Sequence, residues 1–253
     1  MSSSHVLIII QARMRSKRLP GKVLEMIHGT PVIEFLVNRL RHQAHLARIV
    51  VATSNDSEDD RLCDHLKKVG IEYFRGSHED VLKRFYDCFQ SHPADVIVRV
   101  TADCPFIDPD VVSALISKRD QMGADYAYLS PKFAEGLDVE VMLSAALIAA
   151  HQNATLPSER EHVTLYLNNN TDRFTTTMLD QEDDHSSYRF TLDTPEDLAV
   201  INAISSQFKG RCVDVSTDEI IEFLNENPKV FEINSQIIRN EGLMISLEND
   251  QNL

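Results

Sequence analysis

Val6-Leu7-Ile8-Ile9-Ile10 runs straight into Gln11-Ala12-Arg13-Met14-Arg15-Ser16-Lys17-Arg18-Leu19-Pro20-Gly21-Lys22. The first segment is aliphatic without a polar break, as in a strand buried on both faces. The second carries Arg13, Arg15, Lys17, Arg18 and Lys22 and no acid, in a chain whose net charge is −14. A strand followed at once by a cationic loop predicts an α/β fold with an anion site beyond the strand's carboxyl end.

Further strand-then-helix units follow. Thr30 and Pro31 read as a helix start, with Val32, Ile33, Leu36, Val37 and Leu40 at helical spacing. Arg48–Ala52 reads as a second strand, then a helix opening at Ser57 and closing at Gly70. Ile71–Phe74 and Asp95–Val100 read as strands, and Val81–Phe89 and the segment from Asp108-Pro109 as helices. Repeated βα units predict a mostly parallel twisted sheet with helices on both faces.

The second half is less regular. Asp138–Met142 reads as a strand, and Ser158-Glu159-Arg160-Glu161 as a capping box opening a helix through Leu167. Arg173–Leu179 and Tyr188–Leu192 read as an antiparallel pair around the acidic turn Asp180–Asp184. Helices are expected from Thr194-Pro195 and from Thr217, the latter being the last, ending before Pro228. The expected organisation is one domain over residues 1–240, with a small β-rich elaboration at about 130–185 and a loose polar tail over 241–253.

Composition excludes several function classes. The chain has 253 residues and 43% hydrophobic content, enough for a large core. With 39 acids against 25 bases it should repel nucleic acid and anionic membrane surfaces. No apolar run is long enough to span a bilayer, and Met1–His5 lacks a basic leader region. Cys63, Cys88, Cys104 and Cys212 form no C-x-x-C pair, pointing to a reducing compartment such as the cytoplasm.

Three motifs stand at strand ends. The basic loop suits a polyphosphate, yet it has neither the P-loop pattern nor the G-x-G-x-x-G of dinucleotide folds. Arg99-Val100-Thr101-Ala102-Asp103-Cys104-Pro105 places a carboxylate where Mg2+ is commonly held, although Asp before a Pro turn is also a simple turn former. In Arg189-Phe190-Thr191-Leu192-Asp193-Thr194-Pro195-Glu196-Asp197-Leu198, helix capping accounts for Thr194, Pro195 and the following acids but leaves Asp193 over. Cys104 has no neighbouring His and is expected to be a small buried residue rather than a nucleophile.

The Gln11–Lys22 run resembles the signature loop of cytidylyltransferases that activate acidic sugars, the CMP-Kdo and CMP-sialic acid synthetases. It is most similar to their SpsF-type homologues of spore coat polysaccharide biosynthesis, whose loop reads Q-A-R-M-G-S-T-R-L-P-G-K. The departures are Arg15 for Gly and Lys17 for Thr. R-x-T-x-D-C-P and D-T-P-E-D-L match the same group, as do Gly136-Leu137-Asp138-Val139-Glu140-Val141 and Ser158–Thr164.

The resemblance covers about residues 6–205 and implies a nucleotidyltransferase fold. It implies nucleotide contacts from Gln11, Ala12, Arg13, Ser16, Lys17, Lys22 and Thr101, and more weakly from Thr53, Ser54, Arg75 and Ser77. It assigns Mg2+ to Asp103 and Asp193, and catalysis to these with Arg13 and Lys22. It makes Asp138, Glu140, Arg160, Glu161 and His162 acceptor-side candidates, against a plainer reading of Glu161 as part of a capping box and His162 as a surface residue. The implied reaction is CMP transfer from CTP to an acidic sugar or related acceptor with release of pyrophosphate, in a homodimer. The alternatives are a sugar-1-phosphate nucleotidylyltransferase, a nucleotide-sugar glycosyltransferase, or a non-catalytic nucleotide-binding protein of a polysaccharide pathway.

Overall fold

The computed structural model describes residues 5–43 and 47–250. The segments 1–4 and 251–253, which carry part of the readings on a leader and on the tail, lie outside them. In chain order the elements begin with β1 (Val6–Gln11), the short pair β2 (Met26–Ile27) and β3 (Thr30–Pro31), α1 (Val32–Gln43) and β4 (Ala47–Ser54). Next come α2 (Asp60–Val69), β5 (Tyr73–Gly76), α3 (Val81–Ser91), β6 (Val96–Thr101) and α4 (Pro109–Met122). Then follow β7 (Tyr126–Leu129), β8 (Val139–Leu143), α5 (Ser144–Asn153), α6 (Pro157–Glu161), α7 (Leu165–Asn169) and β9 (Thr176–Leu179). Four helices close the described chain: α8 (Pro195–Gln207), α9 (Thr217–Glu226), α10 (Pro228–Phe231) and α11 (Glu241–Asp250).

The main sheet has seven strands in the order β5-β4-β1-β6-β8-β7-β9. The run β5-β4-β1-β6 is parallel throughout, as the repeated βα units require, and only β8 runs against its neighbours. β1 is central, which explains its unbroken aliphatic sequence. Ile8 and Ile10 pack with Leu36, Leu40, Leu66 and Leu115 on one face. Leu7 and Ile9 pack with Leu82, Phe85, Leu147 and Leu167 on the other. A third apolar cluster is built on Phe106, Phe190, Leu192, Ile201, Ile204 and Leu224, the first three of which stand close to Asp103 and Asp193 in the chain.

Several local expectations are corrected. Thr30-Pro31 is the strand β3, and α1 starts only at Val32, because the chain first closes a tight hairpin through Gly29, whose φ is +81°. Arg173–Leu179 and Tyr188–Leu192 do not pair. Thr176–Leu179 is the edge strand β9, parallel to β7. Residues 188–192 instead spend their backbone on loops: Tyr188 O accepts from Glu135 N at 3.0 Å, Phe190 N donates to Glu135 O at 2.9 Å, and Leu192 N donates to Asp103 O at 2.7 Å. The helix expected through Leu167 breaks at His162–Thr164 into α6 and α7. Glu159, not Glu161, closes the start of α6, its Oε2 accepting from Thr155 N at 3.3 Å. The helix from Thr217 is not the last. The stretch expected as a loose tail is helical over Glu241–Asp250.

Candidate active site

The site forms at the carboxyl ends of β1 and β6, which are hydrogen-bonded neighbours with Gln11 opposite Thr101. Past β1 the chain turns at Gly21 (φ +76°), and Leu24 N and Lys22 N close short-range bonds that make a single helical turn carrying Lys22. Past β6 the turn Thr101–Cys104 presents Asp103. Asp193 arrives from far along the sequence, because Leu192 N and Thr191 Oγ1 both donate to Asp103 O, at 2.7 and 3.0 Å. This docking needs Gly136. A Cβ there would stand 2.7 Å from Phe190 C and Thr191 N, and its φ is +106°.

The result is one ammonium between two carboxylates. Lys22 Nζ lies 2.7 Å from Asp103 Oδ2 and 2.7 Å from Asp193 Oδ1. Burial works against charge on Lys22, yet both aspartates outweigh it and its pKa is raised. Burial would likewise raise Asp103, but Lys22 and a hydrogen bond from Thr101 hold it at about 2. Asp193 also meets Arg18 Nη2 at 3.1 Å and Arg189 Nη2 at 3.3 Å. Arg189 is itself fixed by Asp197 (2.8 Å) and Glu135 (2.5 Å). A single cation thus already touches both carboxylates. Among the described residues no cluster of three or more metal-ligating side chains occurs. The donor set fits a hard divalent ion whose remaining ligands are phosphate and water.

The other sequence-derived residues divide into those near this centre and those bound up in support. Gln11 Oε1 lies 3.5 Å from Arg99 Nη2, and Ala12 N donates to Ala52 O at 3.2 Å. Arg13 reaches toward Glu161, at 4.0 Å. Ser16 Oγ accepts from Leu19 N at 3.3 Å, shaping the loop. Arg15 and Lys17 are exposed. Arg15, in place of the resembled glycine, does not have a positive φ, so the loop tolerates a side chain there. Thr53 and Ser54 are fully buried at the end of β4. Ser54 N donates to Asp59 at 3.1 Å, and Met14 N donates to the same carboxylate at 2.6 Å, tying the basic loop to the β4 end. Arg75 bonds Ser54 O (3.0 Å), Asp56 O and Asp60 (both 2.7 Å), and Ser77 Oγ caps toward Asp80 N at 3.1 Å.

On the acceptor side, the Asp138 carboxylate accepts from Gly136 N at 3.0 Å and is still exposed to solvent. Glu140 uses both oxygens within the chain, on Arg99, Tyr126 and Thr164. Arg160 is drawn to Asp80 (Nε at 3.0 Å) and to His151 O at 2.8 Å. His162 Nε2 lies 3.0 Å from Ser246 Oγ. Thr101 Oγ1 stands 3.2 Å from Cys104 Sγ. Burial pushes the Cys104 thiol well up, consistent with an inert small residue.

Sequence reasoning missed Arg18 as a partner of Asp193, and Arg189 as its anchor. It also missed Arg84, which is fully buried in α3 with Nη1 donating to Ser77 O at 2.9 Å. Its Nε and Nη2 have no hydrogen-bond partner. Burial first, and the charge of Arg13 second, lower its pKa to about 10. The available signal was a base at position 84 on the apolar face shared by Val81, Leu82, Phe85 and Cys88.

Comparison with known proteins fits this geometry. A family model described as cytidylyltransferase matches residues 7–237. The chain belongs to the cytidylyltransferase family. This cytidylyltransferase is 38% identical over 232 residues to the spore coat polysaccharide biosynthesis protein SpsF of Bacillus subtilis, covering 88% of this chain and 95% of that protein. A cytidylyltransferase structure from Leptospira borgpetersenii superposes with a TM-score of 0.85 at 33% identity, over 94% of this chain and 100% of that one. A CMP:2-keto-3-deoxy-manno-octonic acid synthetase complexed with CTP shares the fold, with a TM-score of 0.63 at 21% identity, over 81% of this chain and 100% of that one.

Proposed function

We propose that this cytidylyltransferase transfers CMP from CTP to an acidic sugar or a closely related acceptor, releasing pyrophosphate, in the biosynthesis of a surface polysaccharide. The observation that carries the reading is the Lys22 ammonium bridging Asp103 and Asp193 beneath a cationic loop. Transfer at an α-phosphate needs charge neutralisation and in-line placement more than a covalent catalyst. Arg13, Arg18 and Lys22 supply positive charge for the leaving pyrophosphate. Asp103, held ionised at about 2, suits a permanent cation ligand better than a proton acceptor. Asp138 stands exposed on the acceptor side and is the carboxylate offered to the proton of an attacking hydroxyl. Asp103 and Asp193 would hold Mg2+, which when bound neutralises phosphate charge and orients the phosphate oxygens.

The reading extends to a cytoplasmic homodimer. All four cysteines are free and buried, in keeping with a reducing compartment. No helix among the described residues is long and apolar enough to cross a membrane.

The experiment is thermal denaturation with CTP, UTP, GTP and ATP, each with and without Mg2+. A ligand at about 100 times its dissociation constant stabilises by about 2.7 kcal/mol, roughly 5–10 °C for a domain of this size. A CTP-selective, Mg2+-dependent rise is expected. A response to UTP or GTP instead favours sugar-1-phosphate chemistry, and no response to any nucleotide overturns the reading.

A further inference from the structure

The C-terminal segment from Arg239 onward reaches back over the side chains that would meet the substrates. Glu241 Oε2 takes Arg18 Nη1 at 2.7 Å, on the same guanidinium whose other end holds Asp193. Ser246 Oγ sits between two acceptor-side candidates, 3.0 Å from His162 Nε2 and 3.1 Å from Glu161 Oε2. Arg239 Nη2 stands 3.6 Å from the carboxylate of Asp138 and its Nη1 donates to Phe133 O at 2.9 Å. Asp250 Oδ1 accepts from Ser158 N at 3.2 Å, anchoring the far end on α6. One short segment thereby engages the triphosphate loop and three of the acceptor-side residues at once.

The manner of attachment is informative. α11 buries none of its residues, and Met244, Ile245 and Leu247 remain 39–51% exposed. It is held by polar contacts, several of them between exposed groups, which are weak and exchangeable for ligand contacts. A carboxylate on Arg18 also competes directly with phosphate for the same donors. The segment lies beyond the family match, which ends at residue 237.

We propose that Arg239 to Asp250 is an acceptor-side strap. In the closed position it occupies Arg18, Glu161, His162 and Asp138, and it withdraws when nucleotide binds, Arg18 exchanging Glu241 for a phosphate. This rests on the nucleotidyl-transfer reading of the site. The strap then sets access for the acceptor, and Glu241 and Ser246 act as gating residues rather than catalytic ones.

The test compares the full-length protein with Glu241→Gln and Ser246→Ala, using CTP with Mg2+ as the probe and titration calorimetry plus amide hydrogen exchange as readouts. Glu241→Gln is expected to bind CTP about two- to fivefold more tightly, the scale of one exposed ion pair. Saturating CTP is expected to speed exchange in 241–250 of the wild type, and Ser246→Ala to show faster exchange there before CTP is added. Equal CTP affinity in wild type and Glu241→Gln, or exchange in 241–250 that stays constant or slows with CTP, overturns the strap while leaving the transfer reading standing. A wild type that binds no nucleotide removes both.

Discussion

At the scale of single residues the site is an exercise in charge balance. Lys22 satisfies two carboxylates that would otherwise repel each other, and it holds Asp103 far below the ordinary carboxylate range. Asp103→Asn removes one anion and leaves an amide against the ammonium. Turnover with CTP is expected to fall roughly 100-fold or more, with the fold intact by circular dichroism. Near wild-type turnover would remove Asp103 from the machinery. Arg84 poses the opposite case, a buried guanidinium with donors to spare. Arg84→Met relieves that burden, so the ligand-free protein is expected to gain about 1 kcal/mol or more against denaturant. If those donors serve the nucleotide, the same variant binds CTP more weakly. A variant that is destabilised and binds CTP normally would make Arg84 a purely structural residue.

At the scale of elements, the helix that follows Asp193 locks that residue in place. Thr194 caps α8, its Oγ1 accepting from Asp197 N at 3.2 Å, while Asp197 Oδ2 accepts from Thr194 N at 3.0 Å and Asp193 N at 2.9 Å. The same carboxylate group binds Arg189, so helix cap, preceding loop and site anchor are one unit. Thr194→Ala removes the cap acceptor and is expected to cost about 1 kcal/mol of stability in chemical denaturation. It should also weaken Mg2+-dependent CTP binding, because Asp193 loses its fixed approach. A stability loss with no change in binding would uncouple the cap from the site.

At the scale of the whole molecule, buried charges join distant segments. Arg39 is buried in α1 and donates to the carbonyls of Ile107 (3.1 Å), Cys212 (2.9 Å), Val213 (3.1 Å) and Val215 (2.9 Å), fastening the C-terminal half to the first helix. Several carboxylates are held low in the folded state: Asp103 and Glu219 at about 2, and Asp197 in the same direction through Arg189 and Asn234 despite its burial. A depressed carboxylate contributes stability that is complete above its unfolded pKa of about 4 and is lost as pH falls toward its folded value. The denaturation midpoint is therefore expected to drop between about pH 4 and 2. A midpoint unchanged down to pH 2 would contradict the ion pairing described.

The parallel core was legible in the sequence because its cause is local. An aliphatic run long enough for a two-sided buried strand, followed by a helix with one apolar stripe, has few other ways to fold. The strand-end positions of Asp103 and the basic loop followed from that, and the cap at Thr194 was written in its own neighbours. What happens at residues 188–193 was not legible. That segment looks like a strand by composition, yet its backbone partners are loops at 103 and 135, and only a glycine at 136 leaves room for it. Glu140 and Arg160 read as acceptor-side candidates, and packing turns both toward partners inside the chain. The sequence by itself determined which residues could carry charge at strand ends, because periodicity and capping act over a few positions. Only the tertiary structure decided that Lys22, Asp103 and Asp193 share one point, because that depends on backbone bonds between segments far apart in the chain.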